Sequence, residues 1–452
     1  MLKIVLIGGG SVNWTPHLAG DLFLAEELRG SRLVLVDINP SAAELMQRYC
    51  RRLAERIGTG WTVDVSGLDA ALDGADGVCV SISTGGYDAM HNDVTIPERF
   101  GIYHSVGDTV GPGGISRTLR NVPVFVDIAR RMEKRCPNAW LVHVTNPLAQ
   151  LTRCVWRASS IRCLGLCHNF IGTQHLLAKY LGAEPSDIFA TSVGVNHFTW
   201  LKDITCRGRP VADRLTLRGY LEYEARKRGQ PLRTGTTDDA VAQATGEDQV
   251  PRYLLNFVLY ERFGAFPAGA ASHVAEGLPF FLNSLEAIRR HRIHRKGVLP
   301  SRPDAAERAR REIVEVIEGR KPLPEPERSA DQVATVMAAL CAGRTSQIVV
   351  NLPNEGQTPN LPRDAIVETW GVMSWNGAAP VQSGPVPSPL VGMLQAIVAE
   401  EELAVEAALT GDRSKVIQAM LVSPLVVDKD RAAELADALI AANLKWLPQF
   451  AK

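Results

Sequence analysis

The sequence predicts an α/β fold, a doubly wound parallel sheet followed by a mixed, mainly helical α+β domain. Three observations predict it. Over the first half, short apolar runs alternate with helical stretches of roughly 10–20 residues, the pattern of βαβ units whose parallel strands are buried on both faces. The first apolar run ends in three consecutive glycines. From about Asn196 strand signals thin out and Arg/Glu/Ala-rich helical stretches take over. The chain is accordingly divided into 1–195 and 196–452.

The elements follow in order. Lys3–Ile7 is a buried-strand run closing on Gly8-Gly9-Gly10, and a helical pattern runs from Thr15 to about Leu28. Arg32–Val36 is a second strand, followed by a helix over Ser41–Ile57. Gly77–Ser81, Trp140–Thr145 and Cys163–Leu166 read as further strands, with helices over Thr118–Lys134 and Thr173–Leu181. Beyond Asn196, Phe198–Arg207 reads as a strand turning back over the sheet, and Ser346–Leu352 as a late strand. Lys321–Glu327 is Pro-rich and charged, an exposed connection. Arg289–Lys296 carries five basic residues and two histidines and reads as a solvated helix end rather than an anion site. The last 60 or so residues read as amphipathic helices closing the domain.

Composition bounds the function. Hydrophobic residues make up 46% and charged residues 22%, near the average for globular proteins, so a packed core is affordable and disorder is excluded as the main state. Lys+Arg 49 against Asp+Glu 49 gives zero formal charge, which offers no support for nucleic acid or an anionic membrane as partner. The apolar runs fall short of a membrane span, and the N-terminal run is too short for a signal peptide. Eight cysteines without CxxC spacing fit neither a disulfide framework nor a structural zinc site. The expected setting is the reducing cytoplasm, with mostly inert thiols.

The glycine turn carries the first chemical signal. Glycines between a first strand and a first helix let the backbone approach a pyrophosphate, whose charge sits at the helix N-terminus. Gly8, Gly9, Gly10 and Ser11 are therefore assigned to cofactor binding in a Rossmann-type unit, although Asn13 stands where a strict GxGxxG has its third glycine. Asp37 follows the second strand at the distance where a carboxylate binds a ribose 2′-hydroxyl, which favours NAD over NADP. The competing reading of Asp37 is a helix cap.

The second signal is a set of residues that directly follow strand-like runs: Asn146, Cys167 and His197. Ligands collect beyond the carboxyl ends of strands in a doubly wound sheet, so all three can meet in one crevice. A thiolate and an imidazole with positions left open for substrate oxygens make a catalytic metal site, and the alternative is that both are ordinary core residues.

Together, Ile7-Gly8-Gly9-Gly10-Ser11, Pro97-Glu98-Arg99 through Asp108 to Arg117, Thr145-Asn146-Pro147, Cys167-His168-Asn169, Asn196-His197-Phe198-Thr199-Trp200 and Val349–Gly356 resemble the NAD- and manganese-dependent family 4 glycoside hydrolases, most nearly the α-galacturonidase branch. That family shares its nucleotide-binding fold with lactate and malate dehydrogenases. The resemblance implies that Cys167 and His197 hold Mn²⁺ or another divalent metal, and that Asn146 contacts substrate hydroxyls. It further implies that His168 is the general acid and that Asp108 faces the same cleft as a second catalytic group. The implied partner is a small-molecule glycoside, and the implied assembly a homo-oligomer, dimer or tetramer. Residues 1–195 would bind NAD, and 196–452 would serve catalysis, substrate binding and oligomerisation. The implied chemistry is oxidation at the sugar C3, loss of the acidified C2 proton, elimination of the glycosidic oxygen, water addition at C1 and return of the hydride, outside the usual two-carboxylate scheme.

Two departures mark this chain. Ala271, in Ala270-Ala271-Ser272-His273, stands where that branch has an aspartate suited to be the C2 base, which leaves Tyr253, Tyr260 or His273 to do that work. Asn169 follows His168 where a glutamate is expected. Phospho-sugar members carry an arginine after Gly-Gly-Tyr, whereas Gly85-Gly86-Tyr87-Asp88-Ala89-Met90 has no basic residue, so an α-hexuronide or a non-phosphorylated α-hexoside fits better than a 6-phosphate. Two other readings remain at this level: a plain NAD-dependent sugar or hydroxy-acid dehydrogenase, and a non-catalytic NAD(H)-binding sensor.

Overall fold

A computed structural model of the chain describes residues 1–229, 251–295 and 301–451. Its main sheet has nine strands in the order β13-β12-β11-β6-β5-β4-β1-β2-β3. The strands are β1 (Lys3–Ile7), β2 (Arg32–Val36), β3 (Thr62–Val65), β4 (Gly77–Val80), β5 (Trp140–His143), β6 (Cys163–Gly165), β11 (Ser346–Pro353), β12 (Ile366–Ser374) and β13 (Gly377–Pro380). The first six are parallel neighbours in the 3-2-1-4-5-6 order of a dinucleotide-binding sheet, with the switch point between β1 and β4. Strands β11 to β13 pair antiparallel on the β6 edge. Their mostly buried residues, Ile348 to Leu352 and Ile366 to Thr369, come from the second half of the sequence and complete the sheet of the first.

The interior strands are apolar runs because both faces are covered. One core cluster joins Val5, Val34, Val78 and Leu141 to Leu119, Phe125 and Leu394, and the other joins Ile4, Leu33, Cys79 and Val142 to Leu18, Met46 and Met337. Helices α1 (Thr15–Phe23) and α2 (Pro40–Ile57) cover the second face. Helices α3 (Leu68–Leu72), α4 (Gly86–Glu98), α5 (Gly111–Arg135) and α6 (Leu148–Ala158) precede α7 (Asn169–Leu181), and α5 and α6 lie on the first face with the helix Ser388–Thr410. The helix read as Thr15 to Leu28 stops at Phe23, and a separate 3₁₀ turn spans Glu26–Leu28.

A second sheet holds β7 (Ile188–Val195), β8 (Phe198–Cys206), β9 (Arg209–Pro210) and β10 (Phe266–Pro267), all antiparallel. Phe198–Cys206 pairs in a second sheet, which packs against β12 of the first through β7, Ser192 Oγ donating to the Glu368 carbonyl at 2.8 Å. The connection over residues 321–327 is largely exposed, as read. Helices Ser388–Thr410, Arg413–Val422 and Ala432–Asn443 form the C-terminal region. Among the described residues, no helix is long and apolar enough to cross a membrane. In the basic run, Arg289 and Arg290 end the helix Leu285–Arg290 exposed, as read, whereas Arg295 turns inward, its Nε donating to the His104 carbonyl at 2.7 Å while its guanidinium pairs with Glu98. Lys296 lies outside the described residues.

Candidate active site

A cavity of about 380 Å³ opens beyond the carboxyl ends of the parallel strands, lined in part by Asp108, Asn146, Cys167, His168, His197 and His273. Six residues singled out from the sequence thus meet in one place. Asn146 lies three residues after β5, Cys167 two after β6, and His197 in the two-residue turn between β7 and β8. The glycine-rich segment behaves differently from its sequence reading. Gly111-Pro112-Gly113-Gly114 belongs to α5, which starts seven residues before the expected Thr118, and Asp108 lies in the turn just before it. A Cβ at Gly114 would sit 2.1 Å from the Thr109 carbonyl oxygen, so only glycine lets this turn fold onto its helix.

His197 is the hub. Its Nδ1 lies 2.8 Å from the Thr109 hydroxyl and 3.4 Å from Asp108 Oδ1. The Thr109 hydroxyl donates to Asp108 Oδ1 at 2.8 Å, so Nδ1–H of His197 is the donor toward Thr109, and Nε2 keeps a lone pair for a metal. Asn146 Nδ2 donates to Asp108 Oδ2 at 3.0 Å, which leaves its amide oxygen as the acceptor for a sugar hydroxyl. Arg117 Nε in turn donates to the Asn146 carbonyl at 3.0 Å. The His197 backbone is left-handed, φ 64°, a rare conformation for a side chain of its size. Buried Glu368 holds that turn, accepting from Asn196 at 2.7 Å, Asn351 at 2.9 Å and Thr199 at 3.0 Å.

The electrostatics favour a cation. Burial pushes the Asp108 carboxyl up, but the His197 hydrogen bond and the charges of His197, His273 and Arg117 hold it well below the usual carboxylate range. Burial depresses His197, yet Asp108 and Cys167 raise it well above an ordinary histidine. A buried imidazole whose proton affinity is raised by a carboxylate and a thiol also attracts a metal ion. Asp108, His197 and His273 each bring a ligand atom within 4.8 Å of the others. Burial and the neighbouring His197 lower His273 to about 3, and its buried Nδ1 has no hydrogen-bond partner. This donor set of thiol, imidazoles and carboxylate fits a divalent transition metal. His168 is half-exposed, with Nδ1 4.0 Å from Asp331 Oδ1. Withdrawal from water lowers it while Asp331 opposes, and burial raises Asp331.

Of the three groups proposed to replace a base at 271, only His273 lines the cavity. Tyr260 packs on Phe266 in a separate cluster, and Tyr253 borders the same cluster. Sequence reasoning missed Thr109, Ser105, Ser272, Trp14 and Asp331. Thr109 adjoins Asp108 and was reachable, whereas Asp331 arrives on a coil remote from every motif and carries no signal of its own.

The glycine turn fits a dinucleotide. Gly8 has φ 88°, and a Cβ there would lie 1.9 Å from the Ser81 carbonyl oxygen. The Gly10 N–H donates to Asp37 Oδ2 at 2.9 Å, and Asn39 N–H to Oδ1 at 2.9 Å. Asn39, not Asp37, caps α2, so the cap reading of Asp37 does not hold and its half-buried carboxylate stays beside the turn. Ser11 is turned to local use, its hydroxyl accepting from Trp14 N–H at 3.2 Å. Exposed Ile38 offers an apolar surface next to Asp37.

Comparison with known proteins covers most of the chain. The profile described as Family 4 glycosyl hydrolase matches residues 3–183, and that of the Family 4 glycosyl hydrolase C-terminal domain matches residues 192–426. The chain is 35% identical over 453 residues to a Bacillus subtilis alpha-galacturonidase, covering 97% of each. It superimposes on the crystal structure of lplD from Bacillus subtilis with TM-score 0.83 and 32% identity, covering 97% of this chain and 99% of that one. A 6-phospho-alpha-glucosidase from gut microorganisms, solved with NAD and Mn²⁺, shares the fold at TM-score 0.80 and 21% identity, covering 98% of each.

Proposed function

The chain belongs to family 4 of the glycosyl hydrolases, and from that premise we propose that it cleaves α-linked galacturonides or closely related α-hexuronides, using NAD and a divalent metal such as Mn²⁺. One observation carries the reading: Cys167, His168, His197, Asn146 and Asp108 converge on a single cavity beyond the strand ends. A simple dehydrogenase or a binding-only sensor gives no account of this donor set.

Gly8, Gly9, Gly10, Ser11 and Asp37 would hold NAD, and Cys167 and His197 the metal, with Asp108 and His273 within reach. When bound, NAD supplies a hydride acceptor and the metal a Lewis acid. The chain's own groups do the rest. Asn146 fixes the C2 and C3 hydroxyls, His168 holds the proton for the departing glycosidic oxygen, and His273 takes the C2 proton in place of the carboxylate absent at Ala271. The likeness to a protein solved with NAD and Mn²⁺ agrees with this cofactor pair.

The uronate carboxylate is assigned to Arg252. Its carbonyl accepts Ala271 N–H at 3.3 Å, at the start of the helix Ala271–Glu276 that carries Ser272 and His273. Its charge acts on both His168 and His273. With Ala271 in place of an aspartate, no carboxylate from that position repels an anionic sugar, and the Arg252 charge would offset its own. The stretch after Gly85-Gly86-Tyr87 starts α4 and buries Met90, offering no cation for a 6-phosphate. We take residues 1–195 as the NAD-binding part and 196–452 as the catalytic, substrate and assembly part; the second matched profile begins at residue 192, a few residues before that boundary. We also propose a cytoplasmic setting, in keeping with a thiol ligand that needs reducing conditions, and assembly as a homo-oligomer.

The test is a panel of nitrophenyl α-galacturonide, α-galactoside and the corresponding 6-phosphates with NAD, Mn²⁺ and a thiol reductant. Turnover of the uronide is expected. Preferred cleavage of a 6-phosphate would overturn the substrate assignment.

A further inference from the structure

Glu276 ends the helix Ala271–Glu276, and its side chain is buried outside the cavity. Its Oε1 accepts three consecutive backbone N–H groups, Ser105 at 3.0 Å, Val106 at 2.9 Å and Gly107 at 2.8 Å. The same oxygen lies 3.0 Å from His104 Nδ1. The other ring nitrogen of His104, Nε2, accepts from Gly113 N–H at 3.0 Å, so Nδ1 is the protonated one and donates to Glu276. Ser105 Oγ also donates to the Ser272 carbonyl at 2.6 Å. A buried carboxylate is costly unless charge-assisted donors surround it, and four donors on one oxygen meet that demand. The turn 104–107 leads into Asp108, and the helix that ends in Glu276 carries His273. One carboxylate therefore ties together the two walls of the cavity that present those groups.

We propose that Glu276 is a positioning residue that locks the Asp108 turn against the His273 helix and so sets the spacing of the reacting groups without touching any ligand. This rests on the assignment of Asp108 and His273 to the active site. The geometry explains why the turn needs such a fastening. Its glycine-rich backbone, Gly107 and Gly111 with positive φ, has little intrinsic preference for one conformation. The clamp supplies the order in advance, so binding need not.

Two variants test it. Glu276→Gln keeps a carbonyl oxygen at the same reach, while Glu276→Asp withdraws the carboxylate by about 1.5 Å, one C–C bond, beyond hydrogen-bond distance of its four donors. In Glu276→Asp, amide hydrogen exchange at 105–107 should accelerate about tenfold or more, the loss expected for about one hydrogen bond's worth of protection. Mn²⁺ affinity by calorimetry and kcat should fall by about tenfold or more, with NAD affinity unchanged. Glu276→Gln should restore both to within about threefold of wild type. Wild-type exchange in Glu276→Asp overturns the proposal, as does accelerated exchange with unchanged Mn²⁺ affinity. Equal loss in both variants with weakened NAD binding also overturns it, since that marks a general stabilising role. If the wild type neither cleaves a uronide nor binds Mn²⁺, the functional reading fails, and hydrogen exchange alone still decides the clamp.

Discussion

Cys167 differs from the other cysteines in a way that only its surroundings reveal. Burial pushes the thiols of Cys50 and Cys79 up to about 12 and that of Cys136 to about 11, which leaves them inert; of the three part-exposed cysteines, Cys167, Cys206 and Cys341, Cys167 is the one that lines the cavity beside His197. Cys167→Ser should strip bound Mn²⁺ and activity while leaving thermal unfolding within about 1 kcal/mol of wild type, because no packed core group is lost. Metal content equal to wild type would reassign the ligand. Arg252 gives a second residue-level expectation. Arg252→Met should raise KM for an α-galacturonide about tenfold or more and leave a neutral α-galactoside unaffected, the loss of one charge-assisted hydrogen bond. Equal effects on both sugars would place the uronate elsewhere. The site was legible in the sequence wherever a residue directly follows a strand-like run, as Asn146 and Cys167 do. It was illegible for Asp331 and Ser272, which reach the cavity through tertiary packing, and for Glu276, which braces its wall from outside; none of these segments carries a periodic signal.

Helix α5 shows why element boundaries are harder to read than strand ends. Periodicity marks it from Thr118, but Gly111, Pro112, Gly113 and Gly114 form its first turns. Glycine and proline read as turn residues locally, and the helix survives because close contact with the turn 107–109 excludes any side chain. Its N-terminus is fastened by the helix Ser388–Thr410, where Glu400 Oε1 accepts Gly111 N–H at 2.6 Å. Burial raises the Glu400 carboxyl to about 7, opposed by Ser423, the Gly111 N–H, His104 and Lys429; the adjacent Glu401 lies well above the usual range. The folded state thus prefers protonated Glu400. Its contribution is complete below the ordinary value of 4.5 and is lost as pH rises through about 7. Glu400→Gln should therefore be more stable than wild type at about pH 8, by on the order of 3 kcal/mol, and nearly equal at about pH 4. Urea unfolding at the two pH values checks this, and a variant no more stable at the higher pH would show that the carboxylate is held at no cost.

At the scale of the molecule, the sequence made the parallel half plain, since β1, β2, β4, β5 and β6 are apolar runs spaced by helices. It hid β12 and β13, whose register on β11 depends on a chain return of more than 150 residues to the β6 edge. That return brings Glu368 on β12 beneath the His197 turn, so the reacting cavity depends on both halves of the chain. The cavity also constrains the chemistry. Ordinary glycoside hydrolysis needs two free carboxyl groups flanking the bond. Here Asp108 is committed, Oδ1 to Thr109 and His197 and Oδ2 to Asn146, while Asp331 lies beside His168. Asp108 is thus held by its hydrogen bonds as a fixed anion facing His197 and Asn146. What the cavity offers instead is an imidazole with an unpartnered nitrogen, His273, and a cation-attracting donor set beside it. On the proposed reading, the group removed from the sugar is a proton on the carbon beside the C3 ketone, not the leaving group by direct displacement. Cleavage in D₂O should therefore place deuterium at C2 of the released sugar, because the proton taken from C2 exchanges with solvent before one is returned. His273→Ala should lower kcat about a hundredfold or more, the loss expected for one positioned proton-transfer group. Mass spectrometry of the product reads the outcome: a sugar without C2 deuterium excludes elimination here, whereas deuterium at C2 with undiminished turnover in His273→Ala would move the proton transfer to another group in the same cavity.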